Sequence, residues 1–243
     1  MNRCSCALVV VGNEILSGKI PDSNAYFAAR ELRSAGVALE RIAVIPDDLD
    51  VIAAEVRECA ARFDFVVTSG GVGPTHDDLT MEGVARAFGR KVIVSDELAA
   101  LINEHSSGKP NPARLKMAEI PEGAVLNQSE EIWFPTIQVE NVYVLPGVPQ
   151  LFETKLRMIA RRYRTDPYFI RTIYTTASES AIAAYLNDCL AQYPELMLGS
   201  YPKFDDAEYR VKLTLESKDR GYLDRAFDHL IGLLPREAVL RTE

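Results

Sequence analysis

Residues 64–80 read DFVVTSGGVGPTHDDLT, and the fold class can be predicted from this stretch. It opens with a run of apolar and β-branched residues, which predicts a buried strand over 64–69. Three glycines follow, and then Met81, Val84 and Phe88 come at helical spacing. A glycine turn between a strand and a helix brings backbone N–H groups close to a ligand and adds the partial positive charge of the helix N-terminus. The stretch therefore predicts a strand, turn and helix that bind an anionic group such as phosphate.

The acidic pair Asp77 and Asp78 at the end of this turn conflicts with a bound phosphate, because carboxylates repel it. A divalent cation between them removes the conflict, since Mg²⁺ takes one or two carboxylates together with substrate phosphate oxygens. The candidate metal ligands are Asp77, Asp78 and Glu14. The alternative is that Thr75, Asp77 or Asp78 only caps the helix that follows.

The pattern on both sides of this unit extends it to an α/β sheet. Strands are predicted over 7–11, 37–45 and in the β-rich stretch 137–145, and helices over 23–35, 50–63, 96–104 and around Phe152. Strands that alternate with helices form a parallel sheet covered on both faces. A stretch rich in Gly, Pro, Asn and Ser, residues 106–112, is predicted to be a loop.

Polar residues flank the predicted strands at one edge of this sheet. Asn13 and Glu14 follow the first strand, residues 22–24 precede its helix, and Asp47 follows the second strand. Because the carboxyl ends of parallel strands lie on the same side of a sheet, Glu14, Asp47 and the Asp77–Asp78 turn are expected to converge on one crevice. Each cluster taken alone also fits a cap or a turn.

The last third of the chain has its own complete set of elements, in the order β-α-β-β-α-β. The pattern predicts a larger α/β domain over 1–167 and a small α+β domain over 168–243. The small domain lacks a G-x-x-G loop and is acidic at Asp205, Asp206 and neighbouring positions. RNA binding is therefore not expected.

Composition excludes several function classes. The 243 residues carry a formal net charge of −8, which disfavours general binding of nucleic acid or of an anionic membrane. The first apolar run, residues 7–11, is too short for a signal-peptide core or a spanning helix, so a cytoplasmic protein is expected. The four cysteines form neither a disulfide framework nor a four-ligand zinc site, and we interpret them as small buried residues.

Two familiar phosphate motifs are near-misses. Residues 12–20 resemble a P-loop but have five residues between the glycines, and Ile20 stands where Ser or Thr binds magnesium. Residues 71–76 begin like a dinucleotide-binding fingerprint, yet His76 stands where a small residue is needed. The sequence also lacks a G-x-S-x-G elbow and an H-E-x-x-H helix. These four absences argue against a P-loop, a standard NAD site, a serine hydrolase and a zinc protease.

Several segments, in this order, resemble the molybdopterin-binding (MoaB/Mog-like) domain family. The matching segments are GNEILSG (12–18), DSN (22–24), PD (46–47), SGGVGPTHDDLT (69–80), LPGVP (145–149), GSYP (199–202) and YRVKLT (209–214). The most similar branch is found in CinA-type competence/damage-inducible proteins and at the N-terminus of eukaryotic FAD synthases. The resemblance covers nearly the whole chain.

The resemblance implies a Rossmann-like, mostly parallel sheet with helices on both faces, plus a small α+β appendage, with ligand phosphate near the glycine turn. In the Mog branch two aspartates matter, and their motif positions fall on Asp47 and Asp78. That branch usually has Arg before the second aspartate, where this sequence has Asp77. The departure favours the CinA/FAD-synthase branch, which is associated with metal-dependent cleavage of the pyrophosphate in ADP-ribose or FAD-like dinucleotides. The deamidase-type domain of longer CinA proteins and the FAD-synthesising domain are not in this sequence, so neither activity is expected.

The leading hypothesis is a nucleotide pyrophosphatase with Asp47, Asp77 and Asp78 as catalytic residues. Its implied cofactor is a divalent metal, Mg²⁺ or a transition metal such as Co²⁺, held by Asp78, Asp77 and Glu14, with K⁺ as a further candidate. Backbone N–H groups of the glycine turn would stabilise the phosphate charge. The candidate ligand-binding residues are Asn13, Glu14, Asp22, Asn24, Ser69, Gly70, Gly71, Gly73, Thr75, Pro146 and Gly147.

Two other readings stay open. One is a non-hydrolytic binding module for molybdopterin or its adenylylated form, in which the acidic residues serve recognition. The other is a regulatory or structural subunit with a vestigial site. The expected partner in the first two hypotheses is a small nucleotide or pterin ligand, and family analogy predicts a homo-oligomer.

Overall fold

A computed structural model describes residues 4–105, 112–203 and 208–243 of the chain. The predicted loop lies outside the described residues except for its last position, 112, and so do the acidic positions 205 and 206. Two compact units, Met1–Thr165 and Asp166–Glu243, divide the chain close to the boundary predicted at 167. Within the described ranges, no helix has the length and apolar character needed to cross a membrane.

The first unit alternates strands and helices. Its strands are β1 (Ser5–Val11), β2 (Ala38–Ile45), β3 (Phe65–Ser69), β4 (Val92–Val94), β5 (Glu119–Pro121), β6 (Val125–Asn127), β7 (Thr136–Val139) and β8 (Val142–Leu145). Its helices are α1 (Asn13–Leu16), α2 (Asn24–Ser34), α3 (Leu49–Arg62), α4 (Thr80–Ala87), α5 (Asp96–Glu104), α6 (Pro112–Leu115) and α7 (Pro149–Arg162). A 3₁₀ turn, Lys116–Ala118, follows α6.

Six of these strands form one sheet in the order β2-β1-β3-β8-β7-β6. The first four are parallel, and β7 and β6 continue the sheet antiparallel. The predicted mostly parallel sheet is confirmed. The β-rich stretch 137–145 is an antiparallel hairpin, whose tight turn places Glu140 at φ +50°. Apart from this sheet, β4 and β5 pair as a short antiparallel ribbon.

Helices cover both faces of the sheet, as predicted. Side chains of the central strand β1 alternate between two buried faces: Val9 and Val11 lie in one core with Ile52 of α3, and Leu8 lies in the other with Leu32 of α2. All five side chains are at most 2% exposed. Full burial of an aliphatic side chain of this size contributes about 1.5–3 kcal/mol. The two cores therefore fix the sheet between its helices.

Two side chains that follow strands cap the helices that come next: Asp48 after β2 and Ser95 after β4. The Asp48 Oδ1 atom accepts hydrogen bonds from the N–H groups of Asp50 (2.9 Å) and Val51 (3.0 Å) and so caps α3. The Ser95 hydroxyl caps α5 by accepting from Leu98 N–H at 3.3 Å. Such a cap stabilises a helix by about 1 kcal/mol. Asp48 thus has the capping role that its cluster allows.

The four cysteines are free thiols, with Cys6, Cys59 and Cys189 buried and Cys4 half-buried. Burial raises the pKa of Cys59 to about 12. Burial likewise raises the pKa of Cys6 and Cys189. These three thiols therefore stay protonated near neutral pH and pack as apolar groups.

The second unit is a four-stranded sheet with two helices. Its elements are β9 (Phe169–Thr175), α8 (Glu179–Gln192), β10 (Met197–Pro202), β11 (Val211–Ser217), α9 (Arg220–Leu233), a 3₁₀ turn (Arg236–Ala238) and β12 (Val239–Thr242). The sheet runs β10-β11-β9-β12, and every pair is antiparallel. Ile173, Leu213 and Leu215 lie in one buried core with Leu223 and Leu230 of α9. The order of elements is the split β-α-β arrangement.

Candidate functional site

The carboxyl ends of four parallel strands lie side by side in the first unit. Val11 of β1 pairs with Ile45 of β2, and Val10 pairs with Ser69 of β3. Ser69 in turn pairs with Leu145 of β8. The predicted site residues that follow these strand ends are Asn13, Glu14, Asp47, Gly70, Gly71, Pro146 and Gly147. The register therefore brings them to one edge of the sheet, where ligands bind in open α/β folds.

The glycine turn after β3 is held on both sides by its neighbours. Gly70 has φ +100° and Gly71 has φ +64°, a region that favours glycine. A Cβ on Gly70 would lie 2.3 Å from the carbonyl oxygen of Val11. The buried Thr80 donates its N–H to the Gly71 carbonyl (2.9 Å) and its hydroxyl to the Gly70 carbonyl (2.8 Å). Thr80, at the start of α4, is thus a site-building residue that the sequence did not single out.

The N–H groups that follow in this turn point to a binding function. Gly70 N–H donates to the Leu145 carbonyl at 3.2 Å. The N–H groups of Gly71, Val72 and Gly73, by contrast, donate to no acceptor in the described part of the chain. All three residues line a cleft. Successive unpaired N–H groups in a turn form a site for an anionic oxygen.

Asp78 folds back over the same turn. Its Oδ2 atom accepts a hydrogen bond from Thr75 N–H at 2.8 Å and another from the Thr75 hydroxyl. A Cβ on Gly73 would lie 2.7 Å from that oxygen, so the carboxylate packs directly on the glycine. Asp78 is half-buried and lines the cleft. It therefore holds the turn together and presents a charge to the cleft. The alternative that Thr75, Asp77 or Asp78 caps the following helix is wrong, because α4 begins after Leu79 with no side-chain cap in the described part of the chain.

Asp77 is the more exposed member of the pair, with 61% of its side chain accessible. The Thr75 hydroxyl, its own N–H, His76 and Lys116 lower the pKa of Asp77. Its Oδ1 atom lies 3.9 Å from Nδ1 of His76. Asp77 is thus ionised at neutral pH.

Glu14 and Asp47 lie at the same edge of the sheet, but their carboxylates contact other parts of the chain than the glycine turn. The exposed Glu14 carboxylate folds over Gly12, whose Cβ would lie 2.6 Å from Oε1. Asp47 Oδ2 accepts from Asn13 N–H at 2.8 Å and so ties the end of β2 to the end of β1. Among the described residues, no group of three or more His, Cys, Asp or Glu side chains is arranged to hold a metal ion.

The donor set that is present suits one kind of metal site. Asp77 and Asp78 are adjacent in sequence, and Asp78 places its carboxylate beside N–H groups that donate to no acceptor within the described ranges. Mg²⁺ commonly binds to one or two carboxylates and completes its shell with water and substrate phosphate oxygens. The residues therefore fit a cation that arrives with a phosphate ligand, and they do not fit a cage made by protein alone.

Asn24 connects the elements of the site. Its Nδ2 atom donates to Ser69 Oγ and to the Gly147 carbonyl, both at 2.9 Å. Its Oδ1 atom is buried and has no hydrogen-bond partner among the residues that the structure describes. Asp22 Oδ1 accepts from Ala25 N–H at 3.1 Å in the first turn of α2. Asn24, Ser69 and Asp22 thus hold the strand ends and the helix start together, and Asn24 keeps one unused acceptor.

A cleft of about 1050 Å³ extends from the glycine turn to an apolar wall. Gly71, Gly73 and Asp78 line it at the turn. Trp133 and Phe134 line it at the wall, with their rings at 88° and 5.4 Å apart. The Trp133 side of the wall stays 42% exposed. One cleft therefore combines anion-binding N–H groups with two aromatic side chains.

Lys116 fixes the acidic turn from outside it. Its ammonium donates to the Thr75 carbonyl and to the Asp78 carbonyl, the latter at 3.4 Å. It also lines the cleft. Lys116 could not be predicted as a site residue, because the 3₁₀ turn that carries it is remote in sequence from the acidic pair.

Lys155 of α7 is a buried cation in the same cleft. It is 4% exposed, and its Nζ atom donates to the Phe134 carbonyl (2.6 Å) and to Thr136 Oγ1 (3.3 Å). Burial lowers the pKa of Lys155 to about 8. The sequence did not single it out, although it shares the buried stripe of α7 with Phe152, Leu156 and Ile159.

This lowered pKa predicts how stability depends on pH. The ordinary pKa of lysine is 10.5, so between pH 8 and 10.5 the unfolded chain holds a proton that the folded chain has released, and stability rises with pH. A pKa lowered from 10.5 to about 8 corresponds to at most about 3 kcal/mol. We expect wild type to gain up to this amount relative to Lys155→Met between pH 7.5 and 10, measured by urea unfolding. Parallel pH profiles for the two proteins would contradict the assignment.

Family models match both units. The model described as "Probable molybdopterin binding domain" matches residues 7–165, and the model described as "FAD synthase, middle domain" matches residues 167–243. A similar solved structure is that of CinA, a protein of unknown function from Thermoplasma acidophilum, at 34% identity and a TM-score of 0.60. That likeness covers 67% of this chain and 99% of CinA.

Curated relatives extend the likeness over both units. A protein of Archaeoglobus fulgidus is 39% identical over 81% of this chain and 85% of its own length. A probable FAD synthase of Caenorhabditis elegans is 31% identical over 96% of this chain and 50% of its own length, so the chain spans about half of that relative. Because the first of these family models matches residues 7–165, which is more than half of the chain, the chain belongs to the molybdopterin-binding, MoaB/Mog-like domain family.

Proposed function

We propose that the chain hydrolyses the pyrophosphate of an ADP-ribose-like or FAD-like dinucleotide with the help of a divalent cation. The observation that carries the proposal is the single cleft that joins unpaired N–H groups and Asp78 to the Trp133–Phe134 wall. A dinucleotide has both features that this cleft matches, because it carries charged phosphates next to flat heteroaromatic rings. The likeness to a probable FAD synthase supports a nucleotide ligand.

The residues of the chain divide the work. The N–H groups of Gly71, Val72 and Gly73 bind phosphate oxygens and stabilise the negative charge that develops on them, because they are already oriented by the turn. Thr80 and Asn24 hold that turn in place through the hydrogen bonds described above. The aromatic wall positions a ring of the ligand and excludes water from one side of it.

Asp78 and Asp77 are the residues that would hold the cation. When bound there, a divalent cation supplies Lewis-acid polarisation of the phosphates and offsets their repulsion from the carboxylates. Lys116 orients the loop that carries both aspartates through the Thr75 and Asp78 carbonyls.

The direct test is hydrolysis of ADP-ribose and FAD by the full chain with Mg²⁺, Co²⁺ or EDTA, with products separated by chromatography. Addition of one water across the pyrophosphate gives AMP and ribose 5-phosphate from ADP-ribose, and AMP and FMN from FAD. We expect these products with a divalent cation and none with EDTA. Absence of product with both cations, with and without K⁺, would overturn the proposal.

A second candidate function is binding without hydrolysis, with a molybdopterin as the ligand. It is favoured by the hydrogen bonds of Asp78, whose Oδ2 atom already accepts from the N–H and the hydroxyl of Thr75. That oxygen is therefore used within the turn and need not bind a cation. The name of the family model for residues 7–165 supports a pterin. Calorimetry separates the two functions, because tight binding that needs no cation and yields no product supports this one.

Trp133 predicts a measurable contribution to binding in both cases. It is the only tryptophan of the chain, so its fluorescence should change saturably as ADP-ribose enters the cleft. Stacking of a base on an aromatic side chain contributes about 1–3 kcal/mol. We therefore expect Trp133→Ala to weaken binding about tenfold in calorimetry. Tyr26→Ala is the control: Tyr26 is 68% exposed and is not one of the residues that line the cleft. This variant should bind with unchanged affinity.

A further inference from the structure

The cleft contains several cations, and their partners differ. Arg86 lies 2.9 Å from the Asp50 carboxylate, and Arg90 pairs with the Glu140 carboxylate. Lys116 binds the carbonyls of the acidic turn and lies close enough to Asp77 to lower its pKa. Lys155 has only neutral partners within the described chain: a carbonyl, a hydroxyl and the ring of Phe134, whose centroid lies 5.8 Å from Nζ.

The buried ammonium of Lys155 lacks a negatively charged partner in the described part of the chain. Charges buried in proteins are normally paired, because loss of water around an unpaired charge is expensive. Lys155 is 4% exposed, and two protein acceptors account for two of its three N–H donors. One donor and the whole counter-charge remain for a ligand in the cleft that Lys155 lines.

The position of Lys155 relates it to the glycine turn. Its two acceptors, Phe134 O and Thr136 Oγ1, lie at the beginning of β7. β7 runs antiparallel to β8, and Ile137 pairs with Val144. The beginning of β7 therefore lies beside the carboxyl end of β8, at the same edge of the sheet as the glycine turn and Pro146. A ligand held by this edge can reach both.

We propose that Lys155 binds a phosphate group of the ligand and, together with the N–H groups of the glycine turn, makes the cleft select phosphorylated nucleosides over nucleosides. The inference rests on the nucleotide ligand proposed above and adds the group that recognises its charge. Lys155 here is a binding residue, and hydrolysis does not enter its test.

The test measures binding of AMP and of adenosine by calorimetry with Mg²⁺ present, because the acidic turn repels a phosphate when no cation is bound. Neither ligand contains a pyrophosphate bond, so no turnover occurs. In Lys155→Met we expect the affinity for AMP to fall at least tenfold, while the affinity for adenosine stays within twofold. Lys155→Gln keeps a donor for the Phe134 carbonyl without the charge, and it should show the same selective loss. Arg161→Met removes a positive charge from an exposed position of the same helix and should change neither affinity.

Each outcome decides the inference. Equal losses for AMP and adenosine would show that Lys155 only shapes the wall, and wild type that binds AMP no better than adenosine would overturn the inference as well. Thermal unfolding of every variant shows whether it is folded. If Lys155→Met does not fold, the affinities of Lys155→Gln decide the inference in its place. If AMP binding depends on Lys155 as expected but ADP-ribose is never hydrolysed, the inference stands and the pyrophosphatase proposal fails.

Discussion

Asp78→Asn should reduce kcat/KM for ADP-ribose hydrolysis at saturating Mg²⁺ by about 100-fold or more. The substitution removes the charge that would hold the cation in the cleft, and loss of cation stabilisation costs several kcal/mol in the transition state. The Asn side-chain oxygen can still accept the 2.8 Å hydrogen bond from Thr75 N–H. We therefore expect the free energy of unfolding to fall by less than about 1 kcal/mol.

Asp48→Asn is the matched control for this experiment. Like Asp78, Asp48 follows a strand end and accepts a backbone N–H at its carboxylate, but it caps helix α3 and does not line the cleft. It should lose a similar small amount of stability and keep its activity within twofold. Hydrolysis by Asp78→Asn at more than half the wild-type rate would remove Asp78 from the mechanism. A large loss of stability in Asp78→Asn would instead mean that the Asp78 carboxylate serves only to hold the turn together.

The sheet is predictable from sequence because its strands are buried on both faces. β1 and β3 are continuous apolar runs, and such runs between helical patterns indicate a parallel sheet. β4 gives no such signal, since it has three residues and all of them are exposed. The sequence pattern of β7 and β8 also predicts strands. Only the tertiary structure shows that β7 runs antiparallel to β8.

The candidate site divides in the same way. Gly70, Gly71 and Asp78 are neighbours in sequence, so the turn and its charge can be predicted together. Trp133 and Lys155 reach the cleft from remote segments, and only packing places them there. Lys155 did leave one signal, because it lies on the buried stripe of α7, where a lysine needs a partner.

Hydrogen bonds add information that neither spacing nor motif carries. Asn24 and Thr80 look like members of a binding motif, and the structure shows them pinning the strand ends and the glycine turn. A motif in this family therefore contains two kinds of residue, those that present groups to the cleft and those that hold the first kind in place. The two kinds should respond differently to substitution, because loss of a pinning residue costs stability as well as binding.

Gly70→Ala should lower the free energy of unfolding of the first unit by about 2–5 kcal/mol and abolish nucleotide binding. A non-glycine residue at positive φ costs about 1–2 kcal/mol, and forcing an extra methyl into a packed site costs about 1–3 kcal/mol more. The second cost applies because the added Cβ would lie 2.3 Å from the Val11 carbonyl, which belongs to the buried central strand and cannot move aside freely.

Gly18→Ala separates the two costs. Gly18 has φ +70°, but an added Cβ would find no atom within 4 Å, so only the backbone cost of about 1–2 kcal/mol applies. Urea unfolding followed by Trp133 fluorescence reports the first unit, because that unit contains the only tryptophan. If Gly70→Ala is destabilised no more than Gly18→Ala, the turn has room to shift. The N–H groups of Gly71, Val72 and Gly73 would then not be held in the fixed orientation that binding of a phosphate oxygen requires.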